Sequence, residues 1–151
     1  MSEMKIRRCV AEDRNELMRM RLALWPEIGS DGTNQEAEAA ELLAKKDAIV
    51  LVAESPGGVG LAGFAEVGER AYADGCDTAP VAYLEGWYVD EGFRGQGVGR
   101  ALIAAAEDWA REQGYREFAS DALLENVESQ KAHEAIGFEE VERAVRYRKA
   151  L

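Results

Sequence analysis

The chain has 151 residues, 47% of them hydrophobic and 31% charged, which is typical of one folded domain spanning 1–151. Its net charge of −11, with no long apolar segment and no secretion signal, argues against nucleic-acid or membrane partners and predicts a cytoplasmic protein. Two cysteines and one histidine are too few for a disulfide scaffold or a credible zinc site, so no metal is expected.

The first part of the chain predicts a strand followed by two helices. Residues 5–10 have strand composition, and Asp13 with Glu16 forms the pattern of a capping box that opens a helix. Pro26 ends the helical spacing of the apolar residues. A second capping box at 33–36 opens a helix that continues through Leu43.

The middle of the chain predicts three strands. Residues 48–54 and 61–67 are apolar runs on either side of a Ser-Pro-Gly-Gly turn, which is the pattern of a hairpin. Residues 68–80 are polar and irregular, and residues 81–90 return to strand composition. Glu85 lies inside that last run, where an unpaired carboxylate is costly to bury, so we expect another side chain to pair with it.

A glycine-rich turn follows this strand and opens an amphipathic helix that ends at Gly114. The apolar face of the helix contains Leu102, Ile103, Ala106, Trp109 and Ala110. Further along, the pattern predicts a strand, a short helix and a final strand at residues 117–121, 126–136 and 141–148. Together these elements predict an α+β domain with a mixed central sheet flanked by helices.

The segment from Phe93 to Arg100 carries the most specific motif. It lacks the Lys and Ser or Thr of a Walker-type loop, and Arg100 stands where a dinucleotide fingerprint needs glycine. It does contain Arg-x-x-Gly-x-Gly, through Arg94, Gly97 and Gly99, and so resembles the acetyl-CoA signature of GNAT acetyltransferases. Glycines let main-chain N–H groups approach a pyrophosphate, and the following helix N-terminus favours negative charge.

This resemblance implies the GNAT fold, acetyl-CoA as the co-substrate, and a cofactor site built from the loop and the strand before it. The loop backbone is expected to hold the pyrophosphate, and the strand is expected to run beside the pantetheine arm. Asn126 matches a residue that steadies the cofactor in the family. The implied cofactor-binding residues are Trp87, Tyr88, Val89, Arg94, Gly95, Gln96, Gly97, Val98, Gly99, Arg100 and Asn126.

Four further segments, spread over nearly the whole chain, resemble bacterial aminoglycoside 6'-N-acetyltransferases. They are residues 22–26, 83–89, 118–121 and 137–143. The resemblance implies acetyl transfer to the 6'-amino group of aminoglycoside antibiotics, and thus antibiotic resistance. The implied substrate site consists of Trp25, Tyr72, Glu85, Asp121 and Glu142. Carboxylates and aromatic faces suit a polycationic sugar, and the acidic net charge favours its approach.

Most of these substrate residues also have a structural interpretation. Trp25 suits the core or a helix-end anchor, and Glu85 and Asp121 suit ion pairs with arginines. Glu142 suits a solvated surface, whereas Tyr72, in a polar loop, is harder to explain as core.

The chemistry requires a base for the substrate ammonium and donors for the negative charge that develops on the thioester oxygen. We expect direct transfer without an acetyl-enzyme, with Glu85 or Asp121 as the base and the main-chain N–H groups of Tyr88 and Val89 as donors. His133 stands where many GNAT enzymes carry a tyrosine that protonates the thiolate. The proton donor therefore stays open, with Tyr147 or water as alternatives.

Two other functions stay open: acetylation of a different amine, and a non-catalytic acetyl-CoA-binding module. The different amine would be a polyamine, a small metabolite or a protein N-terminus. A hydrolase is disfavoured because the chain has no Gly-x-Ser-x-Gly elbow and His133 has no evident Ser or Cys partner. The family resemblance also implies a homodimer, which apolar-rich terminal segments can support.

Overall fold

The computed structural model describes residues 4–29 and 35–151. Its strands are β1 (Ile6–Arg8), β2 (Ile49–Glu54), β3 (Leu61–Arg70), β4 (Val81–Val89) and β5 (Phe118–Ser120). They form one sheet in the order β1-β2-β3-β4-β5. The first four strands pair antiparallel and β5 pairs parallel with β4, so the predicted mixed sheet is confirmed.

The helices are α1 (Arg14–Leu24), α2 (Gln35–Ala44), α3 (Val98–Glu112) and α4 (Val127–Ala135). One core lies between α3 and the sheet, and a second lies between the sheet and α1 with α2. The apolar residues of each element turn toward these two layers, which gives the predicted α+β architecture. Within the described ranges, none of the helices is long and apolar enough to cross a bilayer.

α1 begins as predicted, with Asp13 as its N-cap residue, but the side-chain bonds of the predicted capping box do not form. The Asp13 carboxylate instead accepts bonds of 2.7 and 2.9 Å from Arg7, which lower its pKa, and one of 2.9 Å from the Val10 amide. Glu16 accepts a hydrogen bond of 2.9 Å from the Leu61 amide. Both carboxylates tie α1 to the sheet because a nearby guanidinium or strand amide competes with the helix end for them. The first two residues of the second predicted box, 33 and 34, lie outside the described residues.

The predicted final strand is also wrong. Residues 139–151 form neither helix nor strand, and all of them are exposed. Val145 is 74% exposed and Tyr147 is 90% exposed. A strand needs a partner for its backbone groups as well as suitable side chains. Among the described residues, no strand pairs with this segment.

Two irregularities in β4 position the candidate site. Glu66 faces Gly86 while Val67 faces Leu84, so Glu85 is the extra residue of a β-bulge. On its other side, β4 pairs with β5 only over residues 82–84. Past Leu84, within the described part of the chain, β4 has no strand partner on that side, because β5 ends at Ser120.

Candidate active site

The glycine-rich loop presents an open helix N-terminus. Gly95 and Gly97 have φ angles of +78° and +86°, a backbone conformation that other residues rarely adopt. No atom lies within 4 Å of the position that a Cβ would take at either glycine. Gly97 is the N-cap of α3, whose first residue, Val98, is only 1% exposed, and Gln96 donates a hydrogen bond to the Gly92 carbonyl. The first N–H groups of α3 lack intrahelical partners and suit an anion.

Two arginines flank this loop. Arg94 Nε donates to the Val89 carbonyl at 2.9 Å, and its guanidinium lies 5.9 Å from the centre of the Tyr88 ring. Arg100 donates to the Ala135 carbonyl at 3.2 Å, which connects α3 to the end of α4. Both side chains are exposed, so their charges are available beside the loop.

Trp87 lies on the part of β4 that has no strand partner, between α3 and α4. Its Nε1 donates to the Gly99 carbonyl at 3.2 Å, and its ring meets the His133 ring edge-on with centroids 5.4 Å apart. Trp87 and Val89 pack toward α3, whereas Tyr88 packs on the opposite face, 6.0 Å from the Phe64 ring. Trp87 therefore connects the unpaired part of β4 to the start of α3 and to α4.

His133 has a serine partner, so the expectation that it has none is wrong. Its Nε2 lies 2.8 Å from Ser120 Oγ, and its Nδ1 lies 2.7 Å from the Ser129 carbonyl oxygen. A carbonyl only accepts, so Nδ1 carries a proton and donates it to the Ser129 carbonyl. The Ser120 hydroxyl can either donate to Nε2 or accept from it, and it also lies 3.4 Å from the Leu84 carbonyl oxygen. Ser120 lies on β5 and His133 on α4, so the sequence around His133 does not reveal this contact.

Asn126 has a structural role at the start of α4. It is the N-cap residue, and its Oδ1 accepts a hydrogen bond of 3.0 Å from the Ser129 amide. The cofactor role that the family resemblance implies for Asn126 stays a prediction.

Glu85 and Asp121 are joined through two residues that sequence reasoning did not single out. Glu85 receives bonds of 2.8 and 3.0 Å from Arg70, which confirms that its carboxylate is paired. The Arg70 guanidinium lies 3.5 Å from the centre of the Tyr83 ring, and the Tyr83 hydroxyl donates to Asp121 at 2.5 Å. Burial and the bond to Asp121 raise the pKa of Tyr83, so its hydroxyl stays protonated.

Trp25 lies next to this group at the end of α1. Its ring is 6.3 Å from the Phe64 ring, and a Cβ at Gly86 would be only 2.6 Å from it. Gly86 therefore leaves room for the indole beside Glu85. The side chain is half-buried and anchors the helix end, as its structural interpretation expected.

Tyr72 and Glu142 lie on exposed segments outside this chain of contacts. Tyr72 is 72% exposed in the loop between β3 and β4, and Glu142 belongs to the exposed C-terminal segment. Val141 lies so close to Gly75 that a Cβ there would be 2.5 Å from it. The C-terminal segment therefore contacts the loop that carries Tyr72.

A cavity of about 480 Å³ opens beside Glu85 on the face of α1 and α2. Six of its lining residues are acidic and three are basic: Glu38, Glu41, Asp47, Glu66, Glu69 and Glu85, with Arg21, Lys45 and Arg70. Glu66 is buried and receives a hydrogen bond from Arg21. Like Glu85, Glu66 interrupts an apolar strand run, so the sequence held a signal for it, whereas Arg70 follows no such pattern.

The chain is similar to known acetyltransferases over most of its length. The model of the acetyltransferase (GNAT) family matches residues 14–138. An aminoglycoside N(6')-acetyltransferase type 1 of Klebsiella aerogenes is 51% identical in an alignment of 137 positions that covers 87% of either chain. One of Stenotrophomonas maltophilia is 42% identical over 97% of this chain and 93% of its own.

Solved structures agree with these relatives. AAC(6')-Iy in complex with the bisubstrate analogue CoA-S-monomethyl-acetylneamine has a TM-score of 0.90 and 39% identity, covering 99% of this chain and 100% of its own. AAC(6')-Ih from Acinetobacter baumannii has a TM-score of 0.89 and 31% identity, covering 99% of both chains.

Proposed function

The chain belongs to the GNAT acetyltransferase family, and we propose that it acetylates the 6'-amino group of aminoglycoside antibiotics with acetyl-CoA, which confers resistance. One observation carries this proposal beyond the family. Glu85 is the bulge residue at the point where β4 leaves β5. Its carboxylate therefore lies between the part of β4 without a strand partner, which we propose binds the thioester, and the acidic cavity, which suits a polycation.

The glycine loop and the part of β4 without a strand partner are proposed to bind acetyl-CoA. The open N-terminus of α3, with Arg94 and Arg100 beside it, supports binding of the pyrophosphate. The unpaired side of β4 past Leu84 supports binding of the extended pantetheine arm along Trp87, Tyr88 and Val89. When bound, acetyl-CoA supplies the activated acetyl group, and the residues of this chain orient it.

Glu85 is proposed to bind the substrate ammonium and to accept its proton. Asp121 is less suited because, unlike Glu85, it does not line the acidic cavity. The amine then attacks directly in a ternary complex, while main-chain N–H groups of Tyr88 and Val89 stabilise the negative charge on the thioester oxygen. Since His133 Nε2 already contacts Ser120 Oγ at 2.8 Å, water is proposed as the proton source for the thiolate.

The aminoglycoside is proposed to bind in the acidic cavity, with its 6'-amine at Glu85. Trp25 adjoins that carboxylate through Gly86 and offers a ring face, while Asp121 is available to a second ammonium or hydroxyl group. Tyr72 and Glu142, on the loop and on the C-terminal segment that contacts it, are proposed to close over the substrate.

A panel of amines tests this function through thiol release from acetyl-CoA. We expect rapid release with kanamycin and tobramycin, whose 6'-amine is free, and none with an analogue that carries a 6'-hydroxyl. Spermidine and a protein N-terminal peptide serve as competing acceptors. Turnover of only these two would reassign the substrate, and binding of acetyl-CoA without turnover of any amine would favour the non-catalytic module.

We also propose that the protein is a homodimer and that it works in the cytoplasm, where acetyl-CoA is made. Residues 139–151 expose Val141, Val145 and Tyr147, while β5 is a three-residue edge strand. A second copy can pair with such an exposed edge and cover these apolar side chains. Both Cys9 and Cys76 are free thiols, as suits a reducing compartment.

Light scattering tests the dimer. We expect the unmodified protein to have the mass of two chains, and Val145→Asp to shift it toward one chain because a charge opposes burial of this position. Arg146→Asp, one residue along, is the matched control and should stay dimeric. A monomeric unmodified protein at working concentration would contradict the proposal.

A further inference from the structure

The ion pair between Arg70 and Glu85 occupies the place proposed for the substrate. Arg70 is the last residue of β3, and its Nε and Nη2 reach the two carboxylate oxygens of Glu85 at 2.8 and 3.0 Å. The guanidinium also lies over the Tyr83 ring, with its central carbon 3.5 Å from the ring centre. The cation is thus held by a carboxylate and an aromatic face together.

The same contacts would recognise a substrate ammonium. Organic cations bind to carboxylates and to aromatic faces. The site offers the Glu85 carboxylate, the Tyr83 ring and a second carboxylate, Asp121, which accepts a hydrogen bond from the Tyr83 hydroxyl. A guanidinium stays charged at every working pH and cannot accept a proton, so Arg70 cannot substitute for the amine in the reaction.

We propose that Arg70 is an internal competitor of the cationic substrate, which must displace it from Glu85 before the amine can reach that carboxylate. Arg70 thereby sets the affinity of the site for amines and is a specificity-determining residue that does not take part in the chemistry. This inference rests on the proposed function, because it assigns the amine to Glu85.

The exposure of this ion pair to solvent makes displacement of Arg70 feasible. The side chains of Arg70 and Glu85 are 44% and 38% exposed, and exposed ion pairs contribute little free energy. By contrast, the neighbouring Arg21 and Glu66 side chains are 11% and 7% exposed. Removing a partner from such a buried pair is strongly destabilising. Of these two pairs, only the one at Glu85 can open without disturbing the core.

Substituting Arg70→Gln tests the competition. We expect the KM for tobramycin to fall about 3- to 10-fold, the range that loss of an exposed ion pair and a cation–π contact allows. We expect kcat to change less than about twofold, because the competitor leaves before the chemical step. Arg70→Lys should lie closer to the unmodified protein. Arg111→Gln, on α3 with ion pairs to Glu107 and Asp108, is the matched control.

Calorimetric binding of tobramycin without acetyl-CoA separates this inference from the proposed function. The affinity gain from Arg70→Gln should disappear in a Glu85→Gln background, where the shared carboxylate is gone. A gain that persists there, or a KM that is unchanged or higher in Arg70→Gln, would overturn the competition. Failure of the unmodified protein to acetylate any aminoglycoside would instead overturn the proposed function, whatever the binding result.

Discussion

Glu85→Gln is expected to lower kcat for aminoglycoside acetylation about 10²- to 10⁴-fold, the usual contribution of a positioned general base. The amide keeps the size of the side chain and can still accept a hydrogen bond, but it cannot take the ammonium proton. Steady-state thiol release with saturating aminoglycoside measures the effect. Glu85 is exposed, so the substitution should leave the melting temperature nearly unchanged.

Two carboxylate variants are controls for this result. Glu41→Gln removes an exposed acid of the same cavity, and we expect it to alter the KM for a polycation with little change in kcat. Asp121→Asn separates the two candidate bases, and we expect a smaller loss of kcat because Asp121 does not line the acidic cavity. A Glu85→Gln protein with full kcat, together with an inactive Asp121→Asn protein, would move the base to Asp121.

Much of the fold was predictable because its signals are local. The apolar face predicted for α3 is entirely buried, including Leu102 and Ala106 at 0% exposure. The hairpin of β2 and β3 was predictable because two apolar runs flank one turn. The final strand at 141–148 failed because composition reports the propensity of a segment and not whether a partner strand is present.

The glycine loop was the predictable part of the site, since its positions lie within a few residues of one another. Gly95 and Gly97 have the positive φ angles that favour glycine there. The contacts around Glu85 were not predictable, because Arg70 ends β3, Tyr83 lies on β4 and Asp121 follows β5. The sequence singled out Glu85 and Asp121, without their partners.

The β-bulge explains why side-chain directions in β4 escape sequence reasoning. Strict alternation would place Trp87 on the same face as Tyr83 and Glu85. The extra residue at Glu85 shifts the register, so Trp87 packs toward α3 and Tyr88 packs toward Phe64. One residue inserted into the ladder thus turns the indole of Trp87 to the proposed cofactor side and leaves the carboxylate of Glu85 on the substrate side.

The buried pair beneath the cavity gives the largest expected effect on stability. Arg21 on α1 bonds to Glu66 on β3, and burial raises the pKa of Glu66 while the Arg21 charge opposes that rise. Arg21→Met leaves Glu66 buried without this partner, so we expect the free energy of unfolding to fall by about 3–5 kcal/mol at pH 7. Urea or thermal unfolding measures the change.

The pH dependence of this loss identifies its cause. In Arg21→Met, the pKa of Glu66 in the folded chain rises further above its unfolded value of about 4.3. The stability linked to that raised pKa is fully present below about pH 4 and is lost as the pH rises through the folded value. The variant should therefore approach the unmodified protein in acid. In the double variant Arg21→Met, Glu66→Leu, apolar side chains replace both charges, and most of the lost stability should return at pH 7. A single variant equally destabilised at every pH, with no recovery in the double variant, would assign the loss to packing of the Arg21 side chain instead of to an unpaired charge.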